Sequence, residues 1–380
     1  HYPKGFAGYE WHRRTAPDSA GTMSQFMTGV RTYNGGLNVD GLGRPVRSLA
    51  EVAKAAGKRV GVVASVPFSH ATPAAGGGAH NVDRNNYHAI TGEMLRSGTL
   101  DVIAGPSHPE YGNDGRPMKP NYKFISPTDW AGVKLGVMAD DFGNTWKFID
   151  DTDAIVAMAE GDTPDKLIMI PRVLSTLQQE RPTDARDEEN NPAPWSTAPG
   201  DDPHTANLPT LSQLAAAALN AVDDDPDGFF LVIEGGAVDW AMHANQTGRM
   251  IEEYMDFDAA VAMVSGYLDA GTNGHTWDNT LVVVTADHDH LLVGPDGATV
   301  PFQPVTDNGP GKLPGYRWMS GSHSNRLVPV FVRGPGMDRV AALATKEDRF
   351  SDGTYEFGVG RYFHQAELGE LLIELFSEDE

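Results

Sequence analysis

The stretch Leu281-Val282-Val283-Val284-Thr285-Ala286-Asp287-His288 decides how the rest of the chain is interpreted. Its first four residues are apolar and mostly β-branched, and polar residues follow them, which indicates a buried strand that we expect to be parallel to its neighbours. Catalytic and ligand-binding groups in open α/β sheets gather just beyond the carboxyl ends of such strands. Asp287 and His288 offer an oxygen and a nitrogen donor, a pair that suits zinc. Alone, the pair is equally compatible with a solvated loop.

Helical and strand-like patterns alternate along the chain. This order predicts an α/β fold, a three-layer sandwich in which helices flank a central, mostly parallel sheet. Strand patterns fall at 59–65, 100–104, 229–233, 280–285 and 328–332, and helical patterns at 48–56, 88–96, 210–222 and 249–268. We expect one catalytic domain over residues 1–380, with a surface loop at 180–207 that is rich in Pro, Asp, Glu and Asn.

Composition narrows the classes of partner. The 380 residues carry 52 acidic and 29 basic side chains, so the net charge of −23 repels nucleic acid and anionic membranes. No apolar run approaches the roughly 18 residues that a membrane span needs. Cysteine is absent, which excludes disulfides and thiolate ligands. The acidic surface also suits a salt-adapted source, which we hold as a hypothesis.

A second segment offers metal-type donors. Asp239 and His243 are spaced i, i+4, so on a helix both side chains would project from one face and could bind one ion. Glu234 ends the strand pattern 229–233 and could serve a second, harder ion. A surface Asp-His pair with a capping acid is the alternative, and for the pair alone it is favoured.

Three further residues suit phosphate chemistry. Ser19 precedes a helical pattern, and the positive end of a helix dipole favours a serine alkoxide and bound phosphate. Arg84 could hold a phosphoryl group through two parallel hydrogen bonds. His323 follows a loop rich in Gly and Pro. The alternatives are a helix N-cap at Asp18-Ser19, a surface ion pair at Arg84 and a surface histidine at 323.

Taken together and in this order, these segments resemble the alkaline phosphatase family over nearly the whole chain, from Thr15 to about Gly336. The segments that carry the resemblance are Asp18-Ser19-Ala20, Thr28-Gly29-Val30-Arg31-Thr32-Tyr33-Asn34, His70-Ala71-Thr72-Pro73-Ala74, Glu234-Gly235-Gly236 with Asp239 and His243, Thr285-Ala286-Asp287-His288, and His323 ahead of Leu327-Val328-Pro329-Val330.

The resemblance implies a role for each position and a cofactor set of two Zn²⁺ and one Mg²⁺. Ser19 would be the nucleophile that becomes phosphoserine, and Arg84 would bind the phosphate. The implied metal ligands are Asp239, His243 and His323 for one zinc, Asp287 and His288 for the zinc that activates the serine, and Glu234 and Thr72 for magnesium. His70 and Trp240, at positions that vary within the family, would contact the substrate.

Two departures from the family pattern lead to expectations of their own. The family begins with a strand that ends in Gly-Asp-Gly, whose Asp bridges the second zinc and the magnesium, and no such segment is present. We therefore expect an additional N-terminal, Asp-bearing strand that these residues do not include. The stretch 291–322 is short, which predicts a reduced version of the family's surface "crown".

The implied function is metal-dependent hydrolysis of small-molecule phosphate monoesters through a phosphoserine intermediate, with release of inorganic phosphate. A periplasmic or secreted location and a homodimer accompany it. One rival is a phosphodiesterase or sulfatase relative on the same fold, although Ser19 lacks the Ser-x-Pro-x-Arg context of sulfatases and a diesterase would not need Arg84. The other is a non-catalytic metal- or phosphate-binding protein, which the missing Asp favours.

Overall fold

The centre of the fold is a five-stranded parallel sheet. The computed structural model describes residues 14–293, 305–351 and 356–377. The strands of this sheet are β1 (Arg59–Ala64), β2 (Val102–Ala104), β3 (Lys147–Ile149), β4 (Leu167–Met169) and β5 (Phe229–Glu234). Their spatial order is β3-β4-β2-β1-β5, and every neighbouring pair is parallel.

Helices connect the strands and cover both faces of the sheet. They are α1 (Ser19–Thr28), α2 (Leu49–Ala55), α3 (Ala71–Gly76), α4 (Tyr87–Arg96), α5 (Pro127–Lys134), α6 (Thr152–Ala157), α7 (Leu211–Asn220), α8 (Ala237–His243), α9 (Thr247–Ala270), α10 (Met337–Ala342) and α11 (Gln365–Ser377). None of the described helices is both long enough and apolar enough to cross a membrane.

The three-layer arrangement follows from the alternation of side chains along each strand. Val62 and Ile103 belong to a buried cluster with residues of α1 to α5. Val63 and Val102 belong to a second cluster with residues of α6, α7 and α9. Because successive strand residues point to opposite faces, strands that are apolar throughout must be covered on both sides. The α/β sandwich predicted from the sequence is thereby confirmed.

Local sequence signals set the ends of several helices. Ser48 and Glu51 form a reciprocal capping box at the start of α2, and Thr210 and Gln213 form another at the start of α7. Helix α1 ends at Gly29, whose φ of 68° is a left-handed conformation that glycine adopts without strain. These caps satisfy backbone groups that a helix end leaves unpaired.

The remaining described strands pair antiparallel. They are β6 (Val282–Thr285) with β9 (Val330–Arg333), β7 (Asp289–Val293) with β8 (Arg317–Ser324), and β10 (Lys346–Ser351) with β11 (Glu356–Tyr362). The sequence predicted that the strand before Asp287 is parallel to its neighbours. Within the described residues this strand, β6, has one partner, β9, and the pair is antiparallel, so the prediction is wrong for this pair. An apolar run indicates that a strand is buried, but it does not determine the direction of the neighbouring strand.

The apolar strands β5 and β6 are less covered than the centre of the sheet. Strand β1 is almost completely buried, whereas each residue of β5 and β6 is only half-buried. Among the described residues, β5 pairs with β1 alone. The additional Asp-bearing strand expected from the resemblance stays a prediction.

Both the predicted surface loop at 180–207 and the predicted insertion at 291–322 contain regular structure. Residues 180–207 contain one short 3₁₀ helix, Pro194–Ser196, and buried residues such as Arg181 and Asp202. In the stretch 291–322, residues 291–293 belong to β7 and 317–322 to β8, and residues 294–304 lie outside the described part of the chain. The reduced crown expected at 291–322 stays a prediction.

Candidate active site and metal centre

The hydroxyl of Ser19 lies at the amino end of α1. Asp18 caps this helix by accepting a hydrogen bond from the backbone N–H of Gly21 at 2.9 Å, which leaves Ser19 as the first helical residue. The Ser19 side chain is mostly buried, and its Oγ lies 3.1 Å from Nε2 of His288. The helix itself is fixed by α11, whose Gly369 approaches so closely that a Cβ there would meet the carbonyl oxygen of Gln25 at 2.3 Å.

Arg84 is held beside the serine by the same Asp18. Its Nη1 donates to Asp18 Oδ2 at 3.0 Å, and its Nη2 lies 3.3 Å from the ring of His70. Burial and the adjacent guanidinium lower the pKa of His70 to about 3, so the ring is neutral at physiological pH. The ring of His70 also packs edge-on against Trp240, with 5.3 Å between the centroids.

Four side chains converge as potential metal ligands. They are Asp239, His243, His290 and His323, whose donor atoms all lie within 4.8 Å of one another. Asp239 and His243 project from one face of α8, as their spacing predicted. The start of this helix is anchored to the sheet because the N–H of Ala237 donates to Ser65 Oγ at 3.0 Å, just beyond β1.

The hydrogen bonds of two imidazoles leave their Nε2 atoms as acceptors. Nδ1 of His243 lies 2.7 Å from the carbonyl oxygen of Gly321, and Nδ1 of His323 lies 2.7 Å from that of Pro17. Because a carbonyl oxygen only accepts, each Nδ1 carries the proton. The Nε2 atoms of His243 and His323 nevertheless lie 2.9 Å apart. Asp239 Oδ1 lies 3.2 Å from Nε2 of His323. Three facing acceptors require a proton or a cation between them, so this donor set fits a divalent metal.

Glu234 occupies the end of β5, close to Asp287. Burial, and next the charge of Asp287, raise its pKa to about 8, while a hydrogen bond from Thr72 opposes this shift. Its Oε2 is buried without a hydrogen-bond partner among the described residues. A carboxylate in this position gains from a cation, because the ion would replace the water that burial removes. Oxygen donors of this kind suit magnesium.

The structure brings all the sequence-predicted site residues into one region. Those that line a cavity of about 530 Å³ are Ser19, His70, Arg84, Asp239, Trp240, His243 and His323. The others adjoin it: Asp287 Oδ2 accepts a hydrogen bond from Thr22 Oγ1 at 3.3 Å within α1, His288 contacts Ser19, and Thr72 lowers the pKa of the neighbouring Glu234. Placement alone does not test the role of any of them.

Sequence reasoning missed His290. Its Nε2 lies 2.5 Å from Asp239 Oδ1, and its strand β7 pairs with β8 so that His290 faces His323. Burial raises the pKa of Asp239, but its close contacts with the rings of His290 and His323 lower it well below the usual value. The i, i+2 spacing of His288 and His290 was the available signal, since alternate residues of an extended chain share a face.

Among the other lining residues, three polar ones were also missed, namely Asn85, Gln179 and Glu180. Asn85 follows Arg84 directly in the sequence. The other two belong to an irregular segment that carries no motif, so their proximity to the site depends on the tertiary structure.

Comparison with known proteins places these features in one family. The sequence profile of the alkaline phosphatases matches residues 7–106 and 172–307. Alkaline phosphatase H of Pseudomonas aeruginosa is 28% identical over 347 residues, which is 88% of this chain and 71% of that protein. The alkaline phosphatase of Escherichia coli K12 is 28% identical over 350 residues, 88% of this chain and 72% of that protein. Alkaline phosphatase 3 of Bacillus subtilis is 27% identical over 287 residues, 74% of this chain but only 51% of that protein.

Solved structures share the fold. The cold-active alkaline phosphatase of a psychrophilic Shewanella superposes with a TM-score of 0.65 at 21% identity. The alignment covers 95% of this chain and 86% of the Shewanella chain. A second structure is a histidine-to-aspartate variant of the alkaline phosphatase of the Antarctic bacterium TAB5, with Mg bound in its M3 site. It superposes with a TM-score of 0.61 at 21% identity, and the alignment covers 95% of this chain and 84% of the TAB5 chain. Because the family profile accounts for more than half of the residues and the curated relatives align across most of them, the chain belongs to the alkaline phosphatase family.

Proposed function

We propose that this protein hydrolyses phosphate monoesters through a phosphoserine formed on Ser19. The observation that carries the proposal is the position of the Ser19 hydroxyl at the amino end of α1, 3.1 Å from His288 and on the wall of the cavity that Arg84 also lines. A helix amino terminus stabilises negative charge on both the nucleophile and the phosphoryl group. Membership of the alkaline phosphatase family supports this reaction class.

The metal cofactors we propose are two Zn²⁺ and one Mg²⁺. Asp239, His243 and His323 would hold one zinc, and the convergence of their acceptor atoms supports this assignment. Asp287 and His288 would be ligands of the second zinc, while Glu234 and Thr72 would belong to the magnesium site. When bound, these ions would neutralise the charge of the phosphoryl group and lower the pKa of the serine hydroxyl.

The remaining steps belong to side chains of the chain itself. Arg84 would bind two phosphoryl oxygens, and Asp18 keeps its guanidinium oriented beside Ser19. The Ser19 oxygen forms a bond to phosphorus as the ester oxygen leaves as the alcohol, and water then releases phosphate and regenerates the serine. His70 and Trp240 would contact the substrate.

Among the rival functions, a phosphomonoesterase fits best. A monoester dianion presents three unsubstituted oxygens, which makes a guanidinium beside the nucleophile useful, whereas a diester presents only two. A non-catalytic binding protein would have no need of a serine hydroxyl held 3.1 Å from a candidate metal ligand. Homodimerisation, a periplasmic or secreted location and adaptation to high salt stay predictions.

The test compares three chromogenic substrates with the zinc- and magnesium-loaded protein. We expect hydrolysis of an aryl phosphate to exceed that of a bis-aryl phosphate and an aryl sulfate, and to stop on chelation. Acid quenching during turnover, followed by mass spectrometry, should find one phosphoryl group on the peptide that contains Ser19. Equal rates on the mono- and diester, or a phosphoryl group on another residue, would contradict the proposal.

A further inference from the structure

One wall of the cavity is formed by Gln179 and Glu180, which the proposed chemistry does not use. The other lining residues include Arg84 and the histidine cluster, which suit the dianionic phosphoryl group. The Gln179–Glu180 wall has the opposite character because it carries the Glu180 carboxylate. This difference in charge would influence which leaving group binds beside the wall.

The Glu180 carboxylate is fixed in place without a cationic partner. Its Oε2 accepts a hydrogen bond from Asn113 Nδ2 at 2.6 Å, and Asn113 is itself oriented because its Oδ1 accepts from the N–H of Ser175 at 2.9 Å. The backbone N–H of Glu180 donates to Thr176 Oγ1 at 2.8 Å. No lysine or arginine of the described ranges forms an ion pair with this carboxylate, so it is available to pair with a cationic group of a substrate.

Gln179 adds a buried acceptor next to this charge. The residue is only 4% exposed, and its Nε2 donates to Gln246 Oε1 at 2.8 Å. Its Oε1 has no hydrogen-bond partner within the described part of the chain. A buried carbonyl oxygen without a donor is costly, so a donor that reached this atom would remove that cost.

Buried Arg249 of α9 holds the backbone of this wall. Its Nη1 donates to the carbonyl oxygens of Gln179 at 2.5 Å and Arg181 at 2.8 Å. Its Nη2 donates to Asp202 Oδ2 at 2.7 Å and to the carbonyl oxygen of Pro182 at 3.3 Å. The wall is therefore preorganised, which lowers the entropic cost of binding a ligand there.

We propose that Glu180 and Gln179, together with the ring of Trp240, form a leaving-group subsite that selects phosphate monoesters of amino alcohols. The ammonium group of such a substrate would pair with Glu180, donate to acceptors of the wall and interact favourably with the indole face. Substrates whose alcohol carries a second anionic group would be repelled. The proposal rests on the phosphomonoesterase activity proposed above and names the substrate class of that site.

The kinetic test uses two isosteric substrates, 2-aminoethyl phosphate and propyl phosphate, which differ by an ammonium in place of a methyl group. In the metal-loaded protein we expect kcat/KM to favour the amino substrate by roughly 3- to 10-fold at low salt, and high salt to reduce this preference. Glu180→Gln should abolish the preference. Glu188→Gln, an equal change of charge at an exposed position of the neighbouring loop, should leave it intact.

A binding test separates failure of the subsite from failure of the proposed reaction. Calorimetry with 2-aminoethylphosphonate and propylphosphonate requires no turnover, and we expect tighter binding of the amino compound in the wild type only. If neither ester is hydrolysed but the phosphonate preference is present and depends on Glu180, the reaction is wrong and the subsite stands. Hydrolysis of both esters with equal kcat/KM, equal affinity for the two phosphonates, or binding of neither would overturn the subsite.

Discussion

Ser19 Oγ lies 3.1 Å from Nε2 of His288, although 269 positions separate the two residues in the chain. The contact joins the amino end of α1 to the segment that follows β6. Burial lowers the pKa of His288 to about 4, so its ring is neutral and Nε2 can accept the hydrogen bond. The candidate nucleophile and a candidate metal ligand are therefore positioned by each other, which motivates the first prediction.

Removal of the Ser19 hydroxyl should abolish turnover while the fold persists. We expect Ser19→Ala to lower kcat for an aryl phosphate by about three orders of magnitude or more, because the covalent route needs this oxygen. Ser212→Ala, which alters a hydroxyl on α7 away from the cavity, should retain wild-type kcat. A Ser19→Ala protein with wild-type kcat, measured after circular dichroism has verified folding, would exclude Ser19 as the nucleophile.

His290 should matter for metal retention even though no sequence motif indicated it. Its contact with Asp239 Oδ1 orients that carboxylate toward His243 and His323. We expect His290→Ala to weaken zinc binding by about 10- to 100-fold, as is typical when a residue that orients a ligand is lost. Zinc content after dialysis against graded chelator measures this effect. His204→Ala, at a side chain that is 60% exposed, is the control, and identical zinc retention in both variants would rule out this role.

His80 should make the free energy of unfolding depend on pH in the alkaline range. Burial lowers the pKa of His80, but hydrogen bonds and charges from Glu51 and Glu93 outweigh this and raise it to about 10, above the ordinary 6.5. Its contribution is therefore fully present below pH 6.5 and is lost as the pH rises through about 10. Urea unfolding of the wild type and of His80→Gln should give a difference in unfolding free energy that shrinks over this window. A difference that stays constant from neutral to alkaline pH would contradict the assignment.

The buried ion cluster around Lys166 should be essential for stability. Lys166 Nζ lies 3.0 Å from Asp140 Oδ2 and 2.5 Å from the carbonyl oxygen of Leu100, and the side chains of Lys166 and Asp140 are 5% and 1% exposed. We expect Lys166→Met to lower the unfolding free energy by about 3–5 kcal/mol because it leaves a buried carboxylate unpaired.

The matched control for this cluster is Lys134→Met, which breaks an ion pair with Glu110 whose two side chains are 51% and 31% exposed. It should cost no more than about 1 kcal/mol. Combining Lys166→Met with Asp140→Asn should restore part of the loss, since the second change removes the unpaired charge. Equal costs for the two lysine variants in urea unfolding would show that burial does not decide the outcome.

Local signals were enough where the geometry depends on neighbours in the sequence. The i, i+4 spacing of Asp239 and His243 predicted a shared helix face, and α8 provides it. The apolar run at 229–233 predicted a strand, and β5 spans Phe229–Glu234. The resemblance to the alkaline phosphatases added the order in which such segments occur.

Other features could not be predicted from the sequence because they depend on residues far away in the chain. His290 becomes part of the cluster only when β7 pairs with β8, and no pattern in the sequence predicted that hairpin. The antiparallel direction of β6 is set by β9. A cap at Asp18-Ser19 was one of the alternatives from the sequence, and Asp18 does cap α1, but it also accepts a hydrogen bond from Arg84, 66 positions away.

The sequence by itself determined the layers, the charge balance and the set of candidate side chains, because periodicity, charge and residue type are properties of the chain before it folds. Only the tertiary structure decided which of those side chains meet. The proximity of His290 to Asp239, of Asp18 to Arg84, and of the Gln179–Glu180 wall to the cavity depends on contacts across long stretches of chain. Such contacts form through packing and through hydrogen bonds such as those of Arg249, and no local pattern encodes where they fall.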